Sequence, residues 1–263
     1  MLTLTVTLIQ TKLHWEDKQA NLAMLEEKIM HIAEKTEIVI LPEMFSTGFS
    51  MKPAELAETM DGVTFHWMQR IAKEKRIILT GSIIINDNGN YYNRLIWMLP
   101  NGEYGCYDKR HLFAFANEHE NYTAGNKRMI ASAKGWKINL QVCYDLRFPV
   151  WARQQSQESP EYDLLIYVAN WPERRNHAWK TLLQARAIEN QCYVIGVNRI
   201  GDDGNNIYHS GDSMVVNALG ETLYHKAHDE DVFTITLQKN SLDEIRNKLP
   251  FLKDADDFII TNE

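Results

Sequence analysis

A cysteine, a lysine and two glutamates, far apart along a 263-residue chain, carry the chemistry that this sequence can perform. Cys143 stands in Val142-Cys143-Tyr144-Asp145-Leu146-Arg147-Phe148-Pro149. Alternating apolar residues (Trp136, Ile138, Leu140, Val142) lead into it as a half-buried strand. Pro149 suits a first helical turn, so a helix is expected over 149–157 and Cys143 falls at a strand-to-helix elbow. Backbone N–H groups at such an elbow favour a thiolate. From its local pattern alone a lone cysteine reads first as a small buried hydrophobe, and it is the company elsewhere in the chain that points to chemistry. Glu43 follows the continuous apolar run 37–41 and Pro42, at a strand's carboxyl end where α/β sheets gather ligand sites, although a solvated loop acid fits the same pattern. Lys109 closes an expected strand at 103–109, and the long irregular stretch after it holds Glu118, His119 and Glu120.

Together these groups suffice for acyl transfer. A carboxylate that takes the thiol proton helps sulfur attack a carbonyl carbon, a contribution of roughly 10²–10⁴-fold. A lysine ammonium and the N–H after the nucleophile can hold the resulting oxyanion. Spacing alone does not bring the groups together.

The elements that must position them alternate. Strands are expected at 2–9, 37–41, 77–85, 91–99, 103–109, 163–169 and 192–199, with short ones at 212–216, 221–225 and 231–237. Asn86-Asp87-Asn88-Gly89-Asn90 marks a hairpin between two of them. Helices are expected at 17–34 (Leu22, Leu25, Ile29, Ile32), 63–74 (Val63, Trp67, Met68, Ile71), 177–190 and 239–248. Such alternation, without a linker or low-complexity segment, reads as one α/β domain over 1–263. Periodicity leaves a doubly wound single sheet open.

Composition narrows the partners. A net charge of −7 argues against nucleic acid and anionic membrane surfaces. The first residues alternate like a strand and lack a leader's basic and small-residue pattern, and no apolar run approaches a bilayer's width. Three cysteines, widely spaced, indicate no disulfide framework, so a reducing cytoplasm is the expected home. There is no phosphate loop, dinucleotide fingerprint or G-x-S-x-G elbow, and His119-Glu120 lacks the second histidine of a zinc motif because Thr123 stands there.

The chain resembles the nitrilase (carbon–nitrogen hydrolase) superfamily from end to end. Leu41-Pro42-Glu43-Met44-Phe45, Tyr107-Asp108-Lys109-Arg110-His111-Leu112-Phe113 and the Cys143 segment look like the family's three catalytic blocks, in its order. Thr80-Gly81-Ser82, Val168-Ala169-Asn170-Trp171-Pro172 and Ala185-Arg186-Ala187-Ile188-Glu189-Asn190-Gln191 match as well. Asp108 to Phe113, Ala116-Asn117-Glu118-His119-Glu120 and Tyr167 to Pro172 are most similar to the ω-amidase branch. The resemblance implies a four-layer αββα sandwich that pairs as a homodimer through outer helices. It implies Glu43 as general base, Lys109 as oxyanion holder with the N–H of Tyr144, Cys143 as nucleophile and Glu118 as a second glutamate that orients lysine or substrate. Metal and organic cofactors are not required. The implied substrates are small 2-oxo acid ω-amides such as 2-oxoglutaramate and 2-oxosuccinamate, in glutamine transamination and methionine salvage. Deaminated-glutathione amidase, N-carbamoyl hydrolase and nitrilase activities, or an idle interaction domain, are the alternatives. Such a substrate needs a cation for its carboxylate, and Arg174 or Arg175 is the candidate, with a solvated charge pair as the other reading. Arg147 reads either as a carboxylate binder or as a structural ion pair. Trp171 and Phe45 are candidate pocket walls, and Cys106 and Cys192 buried bystanders.

Overall fold

Strands buried on both faces need cover on both, and the computed structural model, which describes residues 2–155 and 159–261, meets that need with two sheets and two helical layers. In chain order the strands and helices are β1 (Thr3–Gln10), α1 (Lys18–Met30), β2 (Ile38–Ile40), α2 (Pro53–Leu56), α3 (Val63–Lys75), β3 (Ile78–Asp87), β4 (Asn90–Met98), β5 (Tyr104–Asp108) and α4 (Glu118–Asn121). There follow β6 (Ile130–Ala133), β7 (Trp136–Val142), α5 (Pro149–Ala152), β8 (Leu164–Ala169), α6 (Asn176–Asn190), β9 (Tyr193–Asn198), β10 (Ile200–Asp202), β11 (Tyr208–Val216), β12 (Thr222–Ala227), β13 (Asp231–Gln238) and α7 (Lys239–Lys248).

One sheet has the order β13-β1-β2-β3-β4-β5, the other β10-β11-β9-β8-β7-β6 with β12 paired to β11. Period-2 alternation sorts the side chains between layers. Leu4, Val6, Leu8, Ile38 and Ile40 of the first sheet meet Ile138, Leu140, Leu164, Ile166 and Val168 of the second in a shared interior. Ile9, Val39 and Leu79 face the other way, onto Leu22, Leu25 and Ile29 of α1 and Phe65, Met68 and Ile71 of α3. Trp179, Leu183 and Ala187 of α6 join the interior cluster from the second sheet's side. The result is the αββα sandwich, and the single doubly wound sheet is excluded.

β1, β2 and β3 run parallel, as do β7, β8 and β9. β5 is antiparallel to β4, itself antiparallel to β3, so β2 and β5 end on the same side of their sheet. Two glycines make that end possible. A Cβ on Gly81 would stand 2.8 Å from both Leu41 and Phe45, so only glycine lets the segment after β2 lie along β3. A Cβ on Gly125 would stand 2.1 Å from the Asp108 carbonyl oxygen, against the strand end that carries Lys109.

Several expectations change. The helix expected over 149–157 stops at Ala152, and residues 156 and 157 lie outside the described residues. β6 and β10, too short for a periodic pattern, went unforeseen. Val63 opens α3 exposed rather than packed, and Cys106 is exposed rather than buried.

Asp163, just before β8, ties α7 to the second sheet. It accepts from the Lys137 N–H (3.0 Å) and Arg246 Nη1 (2.8 Å) and pairs with Lys239. Burial pushes its carboxyl up, but the Lys137 N–H, Lys239 and Arg246 outweigh burial and hold it below the usual range. Asp163→Asn is therefore expected to cost about 2 kcal/mol at neutral pH. A depressed folded pKa gives stability that is present above the unfolded value, near 4, and is lost as pH falls through the folded one. Melting midpoints of the wild type and variant should converge below about pH 4 and separate above it.

Candidate active site

Glu43, Lys109, Cys143 and Asn170 come from the ends of β2, β5, β7 and β8, which the two sheets bring to one rim. Cys143 takes a left-handed backbone (φ +44°), a strained conformation for a non-glycine residue, as β7 breaks into the 3-10 turn Cys143–Arg147. Asp145 holds that turn. Its carboxylate accepts from the Val142 N–H (3.0 Å), the Tyr107 hydroxyl (2.7 Å), and the N–H (2.9 Å) and Nδ1 (2.8 Å) of His111. The same carboxylate thus braces the nucleophile turn and both flanks of Lys109.

Glu43, Glu118 and Lys109 are almost wholly sealed from solvent. Lys109 Nζ donates to Glu43 Oε1 (3.0 Å) and to Glu118 Oε1 and Oε2 (3.0 and 2.8 Å). Asn93 Nδ2 lies between the same two acids, 2.8 Å from Glu43 Oε1 and 3.3 Å from Glu118 Oε1. The Asn170 N–H donates to Glu43 Oε2 (2.8 Å), and Asn170 Nδ2 to the Glu43 carbonyl (2.5 Å). Burial opposes the charge on Lys109, yet Glu118 and Glu43 outweigh it and keep the ammonium protonated. Burial pushes the Glu118 carboxyl up, against the pull of Lys109, and Glu43 adds to the rise. Glu120 is exposed, which settles which of the neighbouring glutamates joins the cluster.

The Cys143 thiol opens on the cavity beside Lys109 and Asn170, close enough to Glu43 to feel its charge. Burial first, then the negative charge of Glu43, push the thiol well above its ordinary value, while Lys109 and the Asn170 N–H pull it back. The elbow was expected to favour a thiolate. Here the opposite holds, because desolvation and the Glu43 charge exceed what a few N–H dipoles give. The same surroundings that raise the thiol include the Glu43 carboxylate, a candidate acceptor for its proton.

Cys143, Lys109, Tyr144, Asn170 and Trp171 open on a cavity of about 330 Å³, whose other walls include Phe49, Phe113, Ile207 and His209. Arg147, Arg174 and Arg175 also line it. Among the described residues no carboxylate stands within 4.0 Å of these guanidiniums, so the ion pair considered for Arg147 is absent. The Arg147 guanidinium lies over Trp171 (4.8 Å) and that of Arg175 over Phe113 (5.1 Å). Burial and then the Arg174 charge hold Arg175 below the usual guanidinium value. Phe45 is not a wall. It is buried against Trp67 (centroids 5.9 Å apart), since Gly81 admits its ring to the face under α3.

Sequence reasoning missed Asn93, which nothing marks inside an ordinary hairpin strand, and gave Asn170 and Asp145 no role although both lie in quoted blocks. Two strand ends of like pattern, Pro42-Glu43 and Asn170-Trp171-Pro172, were the available signal for Asn170.

Known proteins resemble this chain over nearly its whole length. The carbon–nitrogen hydrolase family matches residues 5–247. The omega-amidase YafV of Escherichia coli (strain K12) is 43% identical over 256 residues, 97% of this chain and 98% of that protein. The 2-oxoglutaramate amidase of Bacillus subtilis (strain 168) is 28% identical over 253 residues, 95% of this chain and 96% of its own. Among solved structures, XC1258 from Xanthomonas campestris, a CN-hydrolase superfamily protein with an arsenic adduct in its active site, superposes with a TM-score of 0.97 at 43% identity, covering 99% of this chain and 100% of that one. Nit3 of Saccharomyces cerevisiae follows at a TM-score of 0.85 and 26% identity, covering 95% of each chain.

Proposed function

Since the chain belongs to the carbon–nitrogen hydrolase family and is an amidohydrolase of its ω-amidase branch, we propose that it hydrolyses the terminal amide of short 2-oxo dicarboxylate monoamides, 2-oxoglutaramate and 2-oxosuccinamate. One observation carries the reading. A thiol beside a carboxylate and an ammonium shares its cavity with three guanidiniums, Arg147, Arg174 and Arg175, which have no acidic partner among the described residues. Such a cavity suits a substrate with an amide at one end and a carboxylate at the other. Arg175, which lines the cavity with its guanidinium over Phe113, is the anchor favoured for that carboxylate.

The proposed sequence begins with transfer of the Cys143 proton to Glu43 as sulfur attacks the amide carbon. Lys109 Nζ and the Tyr144 N–H hold the oxyanion, help worth roughly 10²–10³-fold per donor. Glu43 returns the proton to nitrogen, ammonia departs and a thioester remains. Water, deprotonated by Glu43, then attacks the thioester carbon, and the acid leaves as the thiol reforms. Glu118 keeps Lys109 charged and aimed throughout. Repair of 2-oxo acid amides formed by glutamine transamination, including that of methionine salvage, and a cytoplasmic setting belong to this proposal. So does the homodimer, for which Val150 on α5 and Ile188 on α6 leave apolar groups exposed on the outer helical layer.

The test is ammonia release from 2-oxoglutaramate beside an N-carbamoyl amino acid, a simple nitrile and deaminated glutathione, on a preparation whose mass by light scattering is that of two chains. A kcat/KM for 2-oxoglutaramate at least about tenfold above the rest is expected. Preference for another panel member would leave the nucleophile in place and discard the arginine assignment.

A further inference from the structure

The arginine turn Glu173–Arg175 runs into α6, and what fixes the start of α6 lies in the second sheet. Asp212 sits within β11 at a shift of register between Gly211 and Ser213, which removes it from the ladder with β12. Its φ is +57°, a left-handed conformation that costs a non-glycine residue, and its side chain is 2% exposed. Glycine is the undemanding residue for such a bulge. An aspartate held there, in the dry, invites the question of what its carboxylate does.

Its donors come from three elements. Oδ2 accepts from Ser210 Oγ (2.6 Å) and Asn176 Nδ2 (3.3 Å), and Oδ1 from His225 Nε2 (2.7 Å) and Lys180 Nζ (3.3 Å). The Asp212 carbonyl accepts from Trp179 Nε1 (2.8 Å). Asn176, Trp179 and Lys180 are the first turn and a half of α6, so one residue holds the helix immediately behind Arg174 and Arg175. A negative charge near a helix N-terminus is also favourable. The connection continues into the cavity. Trp179 packs on Trp171 (centroids 5.4 Å apart), Trp171 Nε1 donates to the Arg175 carbonyl (2.8 Å), and the Trp171 ring carries the Arg147 guanidinium.

We propose that Asp212 is a positioning residue for anion recognition, setting through α6 and Trp171 where Arg175 and Arg147 stand relative to Cys143. The inference rests on the reading that these arginines hold the substrate's carboxylate. It places part of the specificity for acidic amides in a sheet residue outside the cavity walls.

The experiment compares alkylation of Cys143 by iodoacetate, an anion, and iodoacetamide, its neutral analogue, with the Cys143 peptide followed by mass spectrometry. The ratio of the two rates cancels the state of the thiol and reads the positive charge beside it. Asp212→Gly keeps the left-handed backbone and removes the carboxylate. It should lower the iodoacetate-to-iodoacetamide ratio and raise KM for 2-oxoglutaramate, each about tenfold, with kcat within about threefold. Asp212→Asn, which tolerates the same backbone and keeps one acceptor, should show about a third of that loss. Arg175→Gln and Arg147→Gln are the controls. A ratio and KM within about twofold of wild type in Asp212→Gly, beside responsive arginine variants, overturns the role of Asp212 alone. A change of equal size with both reagents, in either direction, would mean that the fold and not the charge beside the thiol has altered, and would also overturn it. Unresponsive arginine variants would overturn the carboxylate reading beneath it.

Discussion

Cys143→Ala is expected to abolish ammonia release, by at least about 10⁴-fold, and to leave the fold intact. The variant keeps the Cβ, so the left-handed backbone at this position is no more strained than before. The turn is held by Asp145 through the Val142 N–H, and these contacts do not involve sulfur. Removal of the thiol also takes away the group whose proton Glu43 would accept, leaving the Glu43–Lys109 pair in place. Circular dichroism and a melting midpoint within a few degrees of wild type would establish the fold, and an ammonia assay at high enzyme concentration would set the residual rate. Acid-quenched wild-type enzyme should carry an acyl group on the Cys143 peptide, absent from the variant. Full activity in a folded Cys143→Ala protein would refute the nucleophile and, with it, the thioester route.

Lys109→Met is expected to damage stability and activity together. The substitution keeps length and apolar bulk but leaves Glu43 and Glu118, both fully buried, without a cation between them. Breaking a buried ion pair on one side costs about 3–5 kcal/mol, here with two acids stranded. In a chain of this size that lowers the melting midpoint by roughly 6–15 °C. The direction with pH follows from Glu118, whose carboxyl burial already holds above its ordinary value. Without Lys109 that rise grows, so the acid is charged at a penalty in the folded state above its folded pKa. The variant should regain part of the lost stability as pH falls toward 5. Lys109→Met/Glu118→Gln, with one buried charge fewer, should recover part of the midpoint at neutral pH. Neither should recover activity, because on the proposed route the oxyanion loses a donor and the thiol a charge that lowers its pKa; a loss of about 10³-fold is expected. A Lys109→Met protein as stable as wild type at pH 8 would contradict the charge balance described for this cluster.

How much of this was legible in the sequence differs from residue to residue. The hairpin through Asn88 and Gly89, the strand before Glu43 and the helix 239–248 were readable because local conformation is set by local pattern. Glu43, Lys109 and Cys143 were readable as residue types at strand ends, and as family blocks. Phe45 was misjudged because its neighbour decides its direction: Gly81, thirty-six positions later by number, opens the space its ring fills. The thiolate expected of Cys143 failed for a related reason. Its proton affinity is set by burial and by Glu43, which comes from the other sheet, and neither is visible in the residues around it.

The sequence by itself determined the alternation of elements, most of the strand runs and the chemical types at their carboxyl ends, since period and propensity act over a few residues. Only the tertiary structure decided that the strands divide between two sheets, that Lys109 is clamped by two acids with Asn93 between them, and that Arg147, Arg174 and Arg175 line the thiol's cavity without an acidic partner among the described residues. Those facts depend on distances between groups dozens of positions apart, and on the removal of water from between them. Both arise when the two sheets close on a common interior.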